Sequence, residues 1–287
     1  MGRPKNSPKQ KRADKAKNKL SLAERADKFE CYLKSVQCPD HEVEFFDQAF
    51  LESYNRKPNS LREDFCGTFG VCCEWVKSDS RRTAVGVDLC PDTLQWGKDH
   101  NLSQLTDLQQ QRIRLIEQDV RKRNRPQVDI LAAQNFSFWI FKTRKEVIQY
   151  FKAARANLNS EGLMVMDMMG GGDCYIEGQT DKRKIGKGKN RFKYHWKQVS
   201  YNPINHDASF AISFKFKDGS MLKNAFEYHW RFWTIPEVRE MLEEAGFSRS
   251  HIYWEMEDED GEDTGEWERR EVAASQGCWI CYIVAEK

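Results

Sequence analysis

No stretch of the chain's 287 residues approaches the roughly 20 consecutive apolar residues that a membrane-spanning helix needs, so no membrane partner is expected. The basic residues near the N-terminus have no apolar segment after them and do not read as a secretory signal. A cytoplasmic protein is expected, and its nine cysteines then read as reduced thiols rather than a disulfide framework. Cys278 and Cys281 form a lone CxxC inside an apolar run. Positions three apart on a strand face opposite sides, so no metal site is expected there. A full GxGxxG is also missing, which argues against a nicotinamide-dependent dehydrogenase, whose pyrophosphate needs that turn at a helix N-terminus.

An overall excess of charge is lacking too: 46 Lys and Arg face 44 Asp and Glu, for a net +2. The near-balance conceals segregation. Within residues 1–19, Arg3, Lys5, Lys9, Lys11, Arg12, Lys15, Lys17 and Lys19 oppose a single acid, Asp14. Residues 182–197 (KRKIGKGKNRFKYHWK) are a second basic run, and residues 255–271 are strongly acidic. Residues 1–20 hold almost no large apolar side chains and are expected to be a disordered basic tail. Such a tail solubilises, directs a protein to the nucleus, or attaches to nucleic acid, and these alternatives stay open.

Apolar material is plentiful by contrast. Hydrophobic residues make up 39% and aromatics 12%, enough for a substantial core. A mean hydropathy of -0.79 calls for a very polar surface around it. From residue 21 to 50 the pattern is helical, with Phe29, Tyr32, Leu33 and Val36 on one face. Apolar segments at 84–89, 113–117, 128–133 and 162–168 alternate with helical patterns at 71–77, 91–108 and 143–158. That rhythm predicts a mostly parallel sheet with crossover helices, whose ligands bind at the carboxyl ends of the strands.

Polar and small residues gather at that edge: Cys66, Gly67 and Thr68, then Asp88, Asp119, Asn135 with Ser137, and Asp167. After Gly170 the style changes. A basic, glycine-containing stretch to Asn190 reads as a mobile loop, and residues 192–201, 208–217 and 222–233 alternate with period two, predicting two or three antiparallel strands. Thr234 caps a helix over 236–245, and segments 250–254 and 279–284 predict a last strand pair joined by an acidic loop, 257–271.

Residues 61–70, LREDFCGTFG, form a tight small-residue turn, and Asp88 follows Gly67 at the end of the next strand. This layout binds a nucleoside: turn N–H groups approach the ligand and the carboxylate accepts both ribose hydroxyls. Asp88 also suits a helix N-cap, since Pro91 follows closely. Asp119 fits an acceptor for an adenine amino group, or again a turn residue.

In these features the chain resembles the class I S-adenosylmethionine-dependent methyltransferases over roughly residues 25–287, small-molecule members in particular. The resemblance implies an α/β fold: a Rossmann-like seven-stranded methyltransferase sheet with an N-terminal helical lid and an antiparallel β insertion after the fifth strand. After the tail, residues 21–287 would be one methyltransferase domain, with 170–233 forming the loop and insertion over the active site. S-adenosyl-L-methionine would be the cofactor. Arg62, Glu63, Cys66, Gly67 and Thr68 would hold its methionine end, Asp88 and Leu89 the ribose, and Asp119 and Val120 the adenine. Asn135, Phe136 and Ser137 would lie beside the methyl group, and Tyr32 and Gln37 would close over the cofactor. The turn departs from the family's E/D-x-G-x-G-x-G, because Phe65 and Phe69 stand at the first and third glycine positions.

Tyr194-His195-Trp196 recurs as Tyr228-His229-Trp230 within alternating patterns. Aromatic faces turned to a sulfonium would wall an acceptor pocket; the same rings equally suit a packed second layer. Tyr175, Trp196, Tyr228, Trp230 and Arg231 are the substrate-binding candidates, and Tyr175, Tyr194, Glu227 and His229 the candidates for taking a proton. The expected activity is methyl transfer to a small-molecule acceptor, an amine or other nucleophile. Two alternatives remain: an RNA or protein methyltransferase using the basic tail and loop, and a cofactor-binding scaffold without catalysis, motivated by the altered turn.

Overall fold

Strand formation begins at Ser60–Asp64 (β1), and the computed structural model describes the chain over residues 20–258 and 263–287. These residues divide into two compact units. The larger comprises Cys38–Ile176, Asn202–Asp207 and Trp230–Lys287; the smaller comprises residues 20–37, Glu177–Tyr201 and Ala208–His229.

In the larger unit, β1 pairs in parallel with β2 (Thr83–Asp88) on one side and β4 (Val128–Ala133) on the other. Strand β3 (Ile113–Glu117) extends the β2 side and β5 (Leu158–Gly170) the β4 side, both parallel. Then β12 (Trp279–Glu286), β10 (Arg249–Glu257) and β11 (Asp263–Arg269) add antiparallel strands. The order β11-β10-β12-β5-β4-β1-β2-β3 makes eight strands, one more than the seven expected from sequence. The extra strand comes from the stretch 257–271 expected to be an acidic loop. Within it Trp267 packs 4.4 Å from the Tyr282 ring while Glu266 and Glu268 stay exposed, so a period-two pattern lay beneath the charge. Residues 259–262 of that expected loop lie outside the described residues, as does the basic tail apart from Leu20.

The helical pattern at 21–50 separates into Leu22–Arg25 (α1), Lys28–Leu33 (α2) and Pro39–Tyr54 (α3). Helix α3 starts with proline, whose missing N–H costs nothing in a first turn, and buries Val43, Phe45, Phe46, Ala49 and Phe50. Helices α4 (Gly70–Ser78), α5 (Pro91–His100), α6 (Asp107–Gln110) and α7 (Arg144–Asn157) lie between the parallel strands. Thr143 and Glu146 form a capping box that starts α7, and Thr234 with Glu237 starts α8 (Ile235–Glu244). Phe46, Phe50, Trp75, Ile130 and Val165 are fully buried in one cluster against the sheet. Among the described residues no helix is long and apolar enough to cross a membrane.

The smaller unit holds α1, α2 and most of a four-stranded sheet in the order β6-β7-β8-β9: Thr180–Ile185, Phe192–Asn202, Asp207–Phe216 and Met221–Arg231. The ends Asn202, Asp207, Trp230 and Arg231 belong to the larger unit. Strands β6 and β7 are antiparallel, so the insertion after β5 is present, with one strand more than expected. The additional strand, β6, lies where a mobile loop was expected. Its Ile185 sits opposite Phe192 and its Arg183 guanidinium lies 4.6 Å over the Tyr194 ring, so apolar stems are covered although the heads are charged.

Candidate active site

The chain proceeds from β1 outward to β2 and β3, then returns across to β4. The carboxyl ends of β1 and β4 therefore flank a topological switch point, where parallel sheets open a crevice for ligands. Glu63, Cys66, Gly67, Thr68, Asp88, Leu89, Asp119, Val120, Asn135, Phe136 and Ser137 all fall at or just beyond this edge.

The turn after β1 is left-handed at Phe65 (φ 56°), Gly67 (φ 52°) and Phe69 (φ 48°). Each phenylalanine bears roughly 1 kcal/mol of backbone strain that glycine would avoid, so its surroundings must hold it. Phe69 is fully buried. A Cβ on Gly97 of α5 would stand 2.4 Å from its ring, so Gly97 makes the space it occupies. Phe65 packs 5.6 Å from Tyr150 and 6.1 Å from Phe141. Both rings are thus directed into aromatic or helical neighbours, and the turn keeps its shape without the two glycines. The Cys66 N–H donates to the Val87 carbonyl at 3.1 Å, fixing the turn to β2, and its thiol is buried.

Asp88 braces the turn ahead of α5 rather than serving as the helix N-cap that Pro91 suggested, a position Cys90 takes. The Asp88 Oδ2 accepts from the Gly67 N–H and its Oδ1 from the Cys90 N–H, both at 2.8 Å. A carboxylate offers about four lone-pair sites, so two remain for vicinal hydroxyls. Leu89 beside it is 65% exposed, an apolar surface ready to be covered. Asp119 is forked by Arg121, with Nη2 to Oδ2 at 2.6 Å; these hydrogen bonds hold its carboxyl below the usual range. Val120 is buried, and its carbonyl accepts from Arg62 at 3.2 Å.

Arg62 corrects its assignment to the methionine end. It is 2% exposed, with Nε on Asp64 at 2.6 Å and Nη1 on Asn124 at 2.8 Å. Its fork is saturated inside the sheet, where it ties β1 to the β3–β4 turn that carries Asp119 and Val120. Tyr150 donates to the other oxygen of Asp64 at 3.1 Å. Burial pushes the Asp64 carboxyl up to about 6 in spite of the Arg62 charge.

Three further carboxyl groups are buried near the crevice. Glu63 accepts from the Cys72 N–H at 3.0 Å, at the exposed amide end of α4, and burial pushes it up to about 7. Asp167 on β5 receives the N–H groups of Asn135 and Phe136 at 2.7 and 2.8 Å, and burial raises it to about 7 against those bonds. It clamps the two consecutive left-handed residues, Asn135 and Phe136, that shape the loop after β4. Ser137 completes that loop by donating its hydroxyl to the Gln134 carbonyl at 2.7 Å. Glu42, on α3, is raised by burial and by the charges of Glu63 and Asp167. Its Oε2 is buried and has no hydrogen-bond partner. Sequence reading placed Asp167 at the edge without a role and passed over Glu42. Its signal was an acid on the apolar stripe of α3, one turn before Phe45 and Phe46 and two before Ala49.

Of the acceptor-side candidates, Tyr175, Trp230 and Arg231 belong to the larger unit. Tyr175 is 40% exposed, 5.4 Å edge-on to Phe232. Trp230 is buried, edge-on to Phe136 at 6.0 Å and Trp139 at 6.1 Å. Arg231 donates to the Lys142 carbonyl at 2.9 Å and lies over Trp233. The others belong to the smaller unit. There Tyr32 packs 4.8 Å from Phe226 and shares a hydrogen bond with Tyr228, and Gln37 ends the first segment. Trp196 stacks on Phe210 at 4.8 Å. Glu227 accepts from Asn224 and His229 pairs with Ser209, each at 3.0 Å on an exposed face. Tyr194 is buried in that unit's core and burial pushes its phenol up to about 12, which removes it as a proton acceptor. The two Tyr-His-Trp triplets are therefore not equivalent: Trp196 packs in one unit, Trp230 in the other.

No family model matches the chain, and no curated protein matches it in sequence. Solved structures do match in fold. An S-adenosylmethionine-dependent methyltransferase from Clostridium acetobutylicum superposes with a TM-score of 0.64 at 15% identity, over 90% of this chain and 96% of that one. CalS10, an amino pentose methyltransferase from Micromonospora echinaspora solved with S-adenosylmethionine bound, gives 0.64 at 13%, over 91% and 97%. DesVI from Streptomyces venezuelae gives 0.64 at 14%, over 88% and 94%. The chain has the fold of S-adenosylmethionine-dependent methyltransferases.

Proposed function

We propose that the protein is an S-adenosylmethionine-dependent methyltransferase acting on a small-molecule acceptor, an amine before other nucleophiles. The observation that carries the reading is the Asp88 carboxylate, held by the Gly67 and Cys90 amides at the switch point with two acceptor sites to spare. The matched structures support it. Besides the amino pentose enzyme they include KedS8, a sugar N-methyltransferase, matched at a TM-score of 0.61.

The residues present fit the cofactor. A polar, left-handed turn accepts its amino-acid end, Asp88 its ribose, and Asp119 its adenine amino group in exchange for one of the four hydrogen bonds Arg121 makes to that carboxylate. The buried acids at the crevice suit a cationic ligand better than a neutral one. When bound, the cofactor supplies an already activated methyl group on a sulfonium. The chain's own work is then to orient the acceptor in line and exclude water. Asn135 and Phe136, fixed by Asp167, form the loop beside the transferred group. An ammonium acceptor must shed a proton, and Tyr175 is the candidate that the unit carrying the crevice offers for it.

Calorimetric titration with S-adenosylhomocysteine tests the reading, followed by an acceptor screen that starts with amino sugars and other small amines. Micromolar binding and methylated product are the expected results. Absence of binding would overturn the cofactor reading, and binding with no methylated product across the screen would return the chain to the scaffold alternative.

A further inference from the structure

Burying a carboxyl group without a partner is costly, and the cost falls only if the group takes up a proton or meets a cation. Glu42 is in that position. It is 9% exposed, and its Oε2 makes no hydrogen bond. Two more acids face it from different strands, Glu63 on β1 and Asp167 on β5, and Asp40 adds its charge from the start of α3. Tyr282 of β12 completes the surround, itself held in its neutral form by burial and by Glu42 and Asp167. Glu63 and Asp167 each have backbone N–H donors, and Glu42 has none among the contacts seen. No Lys or Arg is among the groups that shift Glu42. Among the described residues no three His, Cys, Asp or Glu side chains could hold a metal ion together. Burial favours a proton on Glu42 in the free protein, and the ligand suited to replace that proton is an organic cation that donates hydrogen bonds.

We infer that Glu42, backed by Glu63 and Asp167, is the anchor for the α-ammonium group at the amino-acid end of the cofactor. The assignment rests on the proposed function and deepens it. The cofactor carries two cations. The sulfonium has no N–H to give, whereas the ammonium offers three donors and can satisfy the orphaned oxygen directly. Strands β1 and β5, which carry Glu63 and Asp167, lie on either side of β4, and Glu42 on α3 is within the influence of both charges. The anchor thus belongs to the crevice that Asp88 borders on its other side.

The test compares three ligands on the intact protein. S-adenosylhomocysteine carries the ammonium but no sulfonium, methylthioadenosine carries neither, and S-adenosylmethionine carries both. Glu42→Gln keeps the shape and removes the charge. It is expected to weaken S-adenosylhomocysteine about tenfold to a hundredfold, the loss of one charge-assisted hydrogen bond, and to leave methylthioadenosine unchanged. Equal weakening of both ligands, or of neither, overturns the assignment. Weakening of S-adenosylmethionine alone overturns it too, in favour of a sulfonium partner. A wild-type protein that binds none of the three overturns the cofactor reading itself. Should the variant not fold, the wild type gives a second measurement: calorimetry in buffers of differing ionisation enthalpy. Proton release at pH 7 with S-adenosylhomocysteine and none with methylthioadenosine is expected, and equal release with both would refute the anchor.

Discussion

Replacing Asp88 with alanine separates a turn brace from a ligand-binding carboxylate. In the free protein the side chain accepts two backbone N–H bonds at 2.8 Å, from Gly67 and Cys90. The site is only partly buried, so water can reach the stranded amides, and each bond contributes about 1 kcal/mol net. The fold should lose about 1–2 kcal/mol, a fall in Tm of about 2–4 °C for each kcal/mol in a chain of this size. Ligand binding should suffer more. Two ribose hydroxyls donating to a carboxylate in a closed crevice contribute about 2–4 kcal/mol together, about 30-fold to 1000-fold in Kd. Titration with S-adenosylhomocysteine reads the second effect and a thermal melt the first. Asp88→Asn, which keeps one acceptor oxygen without the charge, should fall between. Wild-type affinity in Asp88→Ala, alongside the lowered Tm, would reduce Asp88 to a turn brace and refute the ribose assignment.

Three other outcomes are expected. Gly97→Ala drives a Cβ to 2.4 Å from the Phe69 ring and 2.7 Å from the Thr68 carbonyl, and should cost about 1–3 kcal/mol by denaturant unfolding; a neutral result would show that Phe69 can rotate away. Trp230→Ala empties a site edge-on to Phe136 and Trp139 and should cost about 3–5 kcal/mol in the same assay, so an effect on turnover without loss of stability would restore it to the acceptor pocket. The third is a pH dependence. Glu63 and Asp167 titrate at about 7 in the folded chain and Asp64 at about 6, all above their unfolded values near 4. Stability from groups raised in this way is complete below the unfolded value and is lost as pH rises through the folded one. The Tm of the ligand-free protein should therefore climb as pH falls from 8 to 5.5, and a flat profile would contradict the burial of Glu63 and Asp167.

Much of the crevice could be read from one dimension. Asp88, Asp119 and Asn135 each end an apolar segment, and alternation of strand and helix places such ends on one edge of a parallel sheet. What misled was charge. The RED of β1 suggested that Arg62 faces a ligand, yet i and i+2 positions share a strand face, and Arg62 closes on Asp64 within the sheet. The acidic run hid β11 because Trp267 alone carries its buried face. The basic run hid β6 because its partners lie on β7.

The sequence by itself determined the class of the fold, the edge where a ligand sits and the carboxylate at the tip of β2, because periodicity and turn chemistry are local properties. Tertiary structure alone decided the rest. That Phe65 and Phe69 replace two glycines without closing the turn depends on Gly97, Phe141 and Tyr150, which lie far along the chain. That Glu42 lies buried within the influence of the Glu63 and Asp167 charges depends on three separate elements, and only burial turns three ordinary acids into one demand for positive charge.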